Sequence, residues 1–361
     1  MFKLPNSFMA GDVYKAFENE ENFLFALERV FDWRKMAEPL WNLAQNEQGG
    51  RPRLSPEMMM KMLFVAFLYD RSDREMEELA TYDIRVKQFL HLPIDGKAPD
   101  HSSLSRFRDA VLTTLGTTYL DQIFDEILQT AKCHGVCFGR VYAIDATHVE
   151  SSINGKKNSH EVNTLGTTSK DPDASWGAKG HETKMTPEGH KVTVVKHFFG
   201  YKVHALAETK HGLVTHLSVT TGRVSDLDAG DTLLHRHLTH KERRAIDVLT
   251  ADKGYGCPVF VNELEKHTGI MTAFHLPKTM TKKGNHQDKW QAYMADEGRR
   301  AWRRERTVIE RIFGDTKMNH GLKRCRYKGE LKLYLQASFS MMAHDLKRLI
   351  RTIRGVRFKT I

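Results

Sequence analysis

Two short apolar runs that each end in an aspartate place the strongest constraint on how this chain can fold. They are "VYAID" (141–145) and "AIDVLTAD" (245–252). Each has the length and apolar content of a buried β-strand, with the acid where the chain leaves the sheet. Ligands of open α/β sheets bind beyond the carboxyl ends of the strands. Two carboxylates there repel one another unless a proton or cation lies between them. Either aspartate alone could simply cap a turn, but the pair predicts an α/β fold in which Asp145 and Asp252 share a cation.

The segments around these runs predict the rest of the sheet. "HFFGYKVHALAET" and "HGLVTHLSVTTG" alternate and are rich in β-branched and aromatic residues, so we expect two strands joined by a turn at Lys210–Gly212. A helix over 225–238 with Ser225 as N-cap follows, and we interpret Asp226 and Asp228 in it as structural. "CPVFVNELEKH" predicts a helix and 269–276 a strand. This order is typical of a mixed α/β sheet covered by helices.

Length and charge indicate two domains and a polyanionic partner. A chain of 361 residues is long for one domain, and we place the boundary between 1–135 and 136–361. The last 63 residues, from Arg299 to Ile361, hold 18 Lys and Arg against 5 Asp and Glu, whereas the preceding 298 residues sum to −3. A cationic segment of this kind favours nucleic acid, although a solvated basic tail remains an alternative. The polar stretch 277–299 indicates an insertion or lid.

The first domain is expected to be helical. "LSPEMMMKMLFVAFLYD" begins with Ser55 as N-cap, and "SDREMEELATY" begins with Ser72 followed three residues later by a glutamate, the capping-box pattern. A third helix in "HSSLSRFRDAVLTTLG" would be capped by Ser102 or Ser103. Helices in this arrangement, with arginines near the start of the third, are compatible with a DNA-reading module, but they could equally form only a core.

One acid in the basic C-terminal region stands out. Glu310 lies in "RTVIERIFGDTK", within a helix that we expect to run from about Ala301 to His320. At 100° per residue, Arg303, Arg306, Glu310 and Lys317 share one stripe of that helix. The glutamate could be a salt-bridge partner or a solvated residue. It could also be a third carboxylate that completes a metal site, while its basic neighbours hold phosphates.

Several other classes of protein are disfavoured. The four cysteines have no disulfide or zinc spacing and are expected as thiols in a reducing cytoplasm. The histidines show no HExxH pattern, and no phosphate-binding loop occurs, so no nucleotide cofactor is expected. No apolar run has the ~20 residues that would span a bilayer, so no membrane partner is expected.

Three segments, in order, resemble the bacterial insertion-sequence transposases of the DDE class. They are "AIDATHVESS", "VLTADKGYG" and "RTVIERIFGDTKMNHGLKRCRYKG"; "HSSLSRFRDAV" and "FGYKVHALAETKHGLV" are also similar to segments of that family. The branch is the one with a Tyr-x2-Arg-x3-Glu-x6-Lys box. Arg306, Glu310 and Lys317 fit this box, but Arg303 stands where the family has tyrosine.

The resemblance implies an RNase H-like catalytic domain with Asp145, Asp252 and Glu310 as its catalytic and metal-binding triad. It implies two Mg²⁺ ions, replaceable by Mn²⁺, and a homodimer that cuts the terminal inverted repeats of its element and joins them to target DNA. Such a protein would lie on the nucleoid in the bacterial cytoplasm. An RNase H-like nuclease without strand transfer and a non-catalytic DNA-binding relative are the alternatives. Double-stranded DNA is expected to contact a set of basic residues and one tryptophan: Arg303, Arg306, Lys317, Arg106, Arg108, Lys323, Arg324, Arg326 and Trp290.

Overall fold

The computed structural model describes residues 14, 22–44, 54–158, 166–185, 190–282 and 286–355. The chain divides into two compact units. The first comprises Met1–Cys137, Asn319–Gly321 and Ser338–Ile361, and the second comprises Phe138–Met318 and Leu322–Ala337. The sequence predicted a boundary at 135 but assigned the whole C-terminal segment to the second domain. Over the described residues, no helix is both long and apolar enough to cross a membrane.

The described part of the first unit is helical, as expected. Its helices are α1 (Phe23–Val30), α2 (Trp33–Met36), a 3₁₀ helix (Glu38–Ala44), α3 (Pro56–Leu68), α4 (Asp73–Tyr82), α5 (Ile84–Phe89), α6 (His101–Thr114) and α7 (Gly116–Cys133). Ser55 accepts a hydrogen bond from the amide of Met58, which makes it the N-cap of α3. Ser72 forms the expected capping box with Glu75.

Helix α3 forms the centre of this unit because it is apolar on nearly all sides. Met59 to Leu68 are all buried, including Lys61. The Lys61 ammonium lies 2.7 Å from the carboxylate of Glu28 and 3.0 Å from that of Glu57, so its charge is paired. The ring of Trp33 packs against that of Phe64 at 5.2 Å.

Helix α6 begins one residue before the predicted caps. Asp100 is its N-cap and accepts from the amide of Ser103, so the expectation of Ser102 or Ser103 was wrong. A carboxylate at this position satisfies free helix amides and also meets the positive end of the helix dipole. Arg108 of α6 donates to both carboxylate oxygens of Asp73 at 2.9 Å each, which ties α6 to α4.

The second unit is built on a six-stranded mixed sheet. Its strands are β1 (Val141–Glu150), β2 (Ser175–Met185), β3 (Lys191–Glu208), β4 (Leu213–Thr221), β5 (Val248–Ala251) and β6 (Met271–Phe274). Along the sheet the order is β2-β3-β1-β5-β6, with β4 also paired to β3. Strand β3 is antiparallel to both of its neighbours β1 and β4, whereas β5 runs parallel to β1 and β6 runs parallel to β5. This is the α/β class with a mixed sheet and flanking helices that the sequence predicted.

Strand β3 is longer than predicted because its first half forms a ribbon with β2. Residues 191–197 of β3 are exposed, so neither side of the ribbon carries the apolar stripe that reveals a strand, and β2 was not predicted. At Gly200 the chain changes from this ribbon to the buried sheet. Gly200 has φ of 156°, and a side chain there would overlap the carbonyl oxygen of Val149.

Helices cover the second unit. They are α8 (Asp226–Thr232), which continues as a π-helix (Leu233–His237), α9 (His240–Arg244), α10 (Pro258–Thr268), α11 (Lys278–Lys282), α12 (Gln287–Ala295), α13 (Glu297–Glu305), α14 (Thr307–Asn319) and α15 (Glu330–Arg354). The described part of 277–299 is therefore largely helical, although whether it acts as a lid stays a prediction. Helix α15 contributes its first eight residues to the second unit and the remainder to the first.

The single helix expected over 301–320 is interrupted. Helix α13 ends at Glu305 and α14 begins at Thr307, with Arg306 between them. The hydroxyl of Thr307 donates to the carbonyl of Arg304 at 3.0 Å. A threonine that bonds the backbone in this way competes with the regular helix ladder. Arg306 nevertheless keeps αR backbone angles, and its guanidinium contacts Glu310 four residues later.

Candidate active site

Asp252 directly follows the last residue of β5, whereas Asp145 lies within β1, which continues to Glu150, so the expectation that Asp145 ends its strand was wrong. Strands β1 and β5 are parallel, and Ala143 pairs with Thr250, so two residues further along Asp145 stands level with Asp252. Neighbouring strands lie about 4.8 Å apart. The Asp252 side chain also accepts from the amide of Gly254 at 2.7 Å, which holds it at the start of the turn that follows β5.

The surroundings of Asp145 disfavour its charge. Burial raises the pKa of its carboxyl to about 7, and the charges of Asp252 and Asp226 act in the same direction. The amide of Ala146, which donates to Oδ1 at 2.8 Å, and the guanidinium of Arg306 oppose this rise. A half-buried carboxylate whose pKa is raised by two other acids is a candidate functional group, because a cation there would relieve the repulsion.

Arg306 connects Glu310 to Asp145 by forming an ion pair with each of them. The Arg306 guanidinium lies 3.3 Å from Asp145 Oδ2 through Nη1, and 2.6 Å from Glu310 Oε1 through Nη2. One planar guanidinium thus bridges an aspartate of β1 and a helical glutamate that are 165 residues apart in sequence. Helix α14 places Glu310 in its first turn, one turn beyond Arg306. The three acids expected from the sequence therefore lie around the point where β5 ends beside β1.

The acids do not form a closed ligand set. Within the ranges that the structure describes, no three His, Cys, Asp or Glu side chains lie close enough to hold one metal ion together. The Arg306 guanidinium lies between Asp145 and Glu310, and its positive charge occupies the place where a shared cation would neutralise them. The donor set itself, carboxylate oxygens only, is the set that Mg²⁺ and other hard divalent ions take.

A basic cluster lies further along β1, near the C-terminal half of α14. Burial lowers the pKa of Lys317 to about 8, with the ammonium of Lys179 adding to the effect. Burial also lowers the pKa of His148 to about 4, and the charges of both lysines act in the same direction. Lys179 contacts the Glu150 carboxylate at 3.1 Å. Two lysines whose charges repel each other form a suitable place for an anion such as a phosphate.

Two family models match the chain. The model described as "Transposase domain (DUF772)" matches residues 12–110, and the model described as "Transposase DDE domain" matches residues 136–346. The second match alone covers more than half of the chain. This protein belongs to the DDE transposase family. Members of this family are enzymes that act on DNA, and their DDE domains generally use divalent metal ions.

One solved structure is similar over most of this DDE transposase. It is a piggyBac transposase in a synaptic complex with hairpin DNA, determined by cryo-EM. The two share 10% sequence identity, and the similarity covers 96% of this chain and 79% of that chain with a TM-score of 0.45.

Three residues expected to contact DNA are buried in this transposase. Arg303 is 5% exposed and donates to the carbonyl oxygen of Met294 at 2.7 Å. Arg108 is 4% exposed and is held by its bidentate ion pair. Trp290 packs in the hydrophobic core of the second unit against Tyr293. None of the three presents its polar or aromatic face to solvent, so we interpret them as packing residues.

The other expected DNA-contacting residues are at least partly exposed. Arg106 is exposed on α6, where its guanidinium bonds the hydroxyl of Ser102 at 3.1 Å. Lys323 and Arg324 are exposed, and Arg326 is half-buried. The Arg324 side chain donates to two backbone carbonyls just after β1, in the loop that follows the basic cluster. Arg324 therefore lies beside the end of the strand that carries Asp145.

Sequence reasoning missed three residues beside the acids. Asp226 was interpreted as structural, yet its charge reaches Asp145. Tyr255, three residues after Asp252, is fully buried next to the carboxylates. Because Ala251 pairs with Phe274, His275 stands level with Asp252 at the end of β6. Asp226 and His275 lie within a predicted helix and a predicted strand, and Tyr255 lies three residues after another predicted strand, but only the sheet order shows that they converge.

Proposed function

We propose that this chain is a Mg²⁺-dependent transposase that binds the terminal inverted repeats of its element, cleaves them and transfers the cut strands to target DNA. The acids Asp145, Asp252 and Glu310 would hold the metal ions. The observation that carries the proposal is the Arg306 guanidinium that bridges Asp145 and Glu310, with Asp252 level with Asp145 on the next strand. Three neighbouring carboxylates repel one another unless a positive charge lies among them, and divalent cations can supply that charge.

Arg306 is best understood as a cation that shares the site with the metal. Without a metal ion it neutralises Asp145 and Glu310, which would otherwise repel one another. Divalent ions held by the three acids would supply activation of the attacking water or 3′-hydroxyl and stabilisation of the leaving oxygen. Arg306 is then free to turn towards a phosphate of the bound strand, with which it can form a bidentate contact.

The chain's own residues suggest where the DNA backbone would lie. Glu150, which pairs with Lys179, lies five residues beyond Asp145 on β1, about 16 Å away. A DNA backbone that follows this strand would therefore meet the acids at one phosphate and the basic cluster of Lys179 and Lys317 at another. Arg324, Lys323 and Arg326 extend this surface. We propose that the surface holds the DNA beside the scissile phosphate, and that Arg106 is a DNA contact of the first unit by itself.

The test is a cleavage and joining assay with the purified full-length protein. Duplexes that carry the ends of the element, with flanking DNA, are incubated with a target plasmid and Mg²⁺. We expect nicks at the element ends and joined products. Asp145→Asn, Asp252→Asn and Glu310→Gln should each reduce cleavage by at least about 100-fold while end binding in a gel-shift assay persists.

Glu305→Gln is the matched control, since it removes an acid at the end of the preceding helix and should leave cleavage unchanged. A triad variant that cleaves at the wild-type rate would refute the assignment of the acids. Cleavage without any joined product would instead identify a nuclease that lacks strand transfer. Two element ends must be processed together, so we also propose a homodimer on DNA, which light scattering of the end complex can measure.

A further inference from the structure

The buried hydroxyl of Tyr255 has no hydrogen-bond partner among the described residues. The side chain is 0% exposed, and the groups that act on it, besides burial, are the carboxylates of Asp145, Asp226 and Asp252, which raise its pKa. Buried hydroxyls are nearly always hydrogen-bonded in native proteins. An unpartnered phenol facing three acids therefore points to an arrangement in which it donates to one of them.

Helix α8 directs Asp226 towards the same place. Its N-cap is already provided by Ser225, which accepts from the amide of Asp228 at 3.1 Å, so Asp226 is not needed for capping. Gly230 lies one turn beyond Asp226 on the same helix face. A β-carbon on Gly230 would lie 2.5 Å from the Tyr255 ring and 3.4 Å from the Ile144 side chain. This close packing against the tyrosine and β1 turns the face that carries Asp226 towards Asp145.

Asp226 has its own cation in this structure. The Lys202 ammonium, on β3, lies 2.8 Å from Asp226 Oδ1 and also donates to the carbonyl oxygen of Val224 at 2.8 Å. Arg306 serves Asp145 and Glu310 in the same way. Three of the four carboxylates are thus paired with two side-chain cations: Asp145 and Glu310 with Arg306, and Asp226 with Lys202.

We propose that Asp226 is a fourth carboxylate of the cation site, and that the Tyr255 hydroxyl donates a hydrogen bond to this carboxylate cluster when a divalent ion is bound. The proposal rests on the cation site proposed above for Asp145 and Asp252. Asp226 acts as a positioning residue that adds negative charge and accepts hydrogen bonds from the water ligands of the ion. Lys202 holds Asp226 in place until then, as Arg306 holds Glu310.

The experiment is a titration of the full-length protein, without DNA, with Mn²⁺ up to millimolar concentration, in which free Mn²⁺ is followed by electron paramagnetic resonance. Asp226→Asn should weaken Mn²⁺ binding by about tenfold or more, the usual effect of removing a group that supports metal ligands. Tyr255→Phe should weaken it several-fold without lowering the melting temperature of the metal-free protein, because the hydroxyl has no partner there. Asp228→Asn, an exposed acid on the same helix turn, should bind as the wild type does.

Lys202→Met separates this role from a structural one. It breaks the same ion pair as Asp226→Asn but keeps the carboxylate, so Mn²⁺ should bind at least as tightly as in the wild type. Equal weakening by Lys202→Met and Asp226→Asn would show that the ion pair is merely structural and overturn the proposal. Wild-type affinity in both Asp226→Asn and Tyr255→Phe would also overturn it. If the wild-type protein itself fails to bind Mn²⁺, the proposed cation site fails first. Should Asp226→Asn not fold, Tyr255→Phe and Lys202→Met still decide the question.

Discussion

Replacing Lys317 with methionine should make the protein more stable and a weaker DNA binder. The ammonium is partly buried on α14, and burial together with the charge of Lys179 lowers its pKa from the usual 10.5 to about 8. At pH 7 the group is nevertheless charged, so the folded chain carries a destabilising charge at this position. Methionine keeps most of the side-chain volume and removes that charge.

The magnitude follows from the proton equilibrium. Each tenfold change in proton affinity is worth about 1.4 kcal/mol, so a pKa lowered from 10.5 to about 8 corresponds to about 3 kcal/mol. Because solvent screens the exposed part of the ammonium, we expect a gain of about 1–2 kcal/mol. The folded pKa lies below that of the unfolded chain. The gain is therefore complete below about pH 8 and decreases as the pH rises towards 10.5, where the unfolded lysine also loses its proton.

Thermal unfolding at pH 7 and at pH 10 measures this effect. We expect Lys317→Met to raise the melting temperature by roughly 3–6 °C at pH 7 and by clearly less at pH 10. Lys323→Met, which removes an exposed lysine nearby, is the control and should change neither value. The reasoning is refuted if Lys317→Met melts at or below the wild-type temperature at pH 7, or if its gain is the same at both pH values.

DNA binding by the same variant tests why the charge is retained. A DNA phosphate beside Lys317 would stabilise the charged ammonium and so offset the unfavourable burial of its charge. Lys317→Met should therefore weaken binding to duplexes of any sequence. The slope of log K against log salt concentration should fall by about 0.9. An unchanged slope would show that no phosphate contacts this lysine.

Three further perturbations have clear expected outcomes. Arg306→Gln should reduce single-turnover cleavage by at least about tenfold, because a neutral side chain replaces a charge-assisted contact to the scissile strand; cleavage at the wild-type rate would contradict this. Arg108→Met leaves Asp73 without its buried partner and should destabilise the first unit by about 3 kcal/mol, measured by urea unfolding, whereas the exposed Arg106→Met should change stability by less than about 0.5 kcal/mol. Gly200→Ala combines a left-handed φ with overlap on the neighbouring strand and should lower the yield of folded protein or its melting temperature by several degrees; a melting temperature equal to that of wild type would argue against the tight crossing.

Local patterns predicted much of the fold correctly. Ser55, Ser72 and Ser225 cap helices as expected, because a cap depends on a few neighbouring residues. The strands that carry Asp145 and precede Asp252 were predicted because each contains a short apolar run followed by an acid, although β1 continues past Asp145 to Glu150. Strand β2 was missed, since an exposed ribbon lacks the apolar alternation on which strand prediction depends.

Charge patterns were less informative about individual side chains. Arg303, Arg108 and Trp290 were all expected at a DNA surface but are buried. A sequence shows that a residue is basic or aromatic, but it does not show whether a carbonyl such as that of Met294, or a carboxylate such as that of Asp73, will take up its hydrogen bonds. Burial of an arginine depends on these distant partners.

Apolar periodicity and short motifs were enough to predict the class of fold, the pair Asp145 and Asp252, and the family box that holds Arg306, Glu310 and Lys317. These features are short-range, because apolar periodicity and helix caps are set within a few residues. Only the tertiary structure decided which groups converge. Parallel pairing of β1 and β5 sets Asp252 level with Asp145, and the Arg306 guanidinium contacts both Asp145 and Glu310. The packing of Gly230 on Tyr255 brings Asp226 close to the same acids. Electrostatic interactions act through space, so they couple residues that the chain separates by up to 165 positions, and a sequence does not show which residues these are.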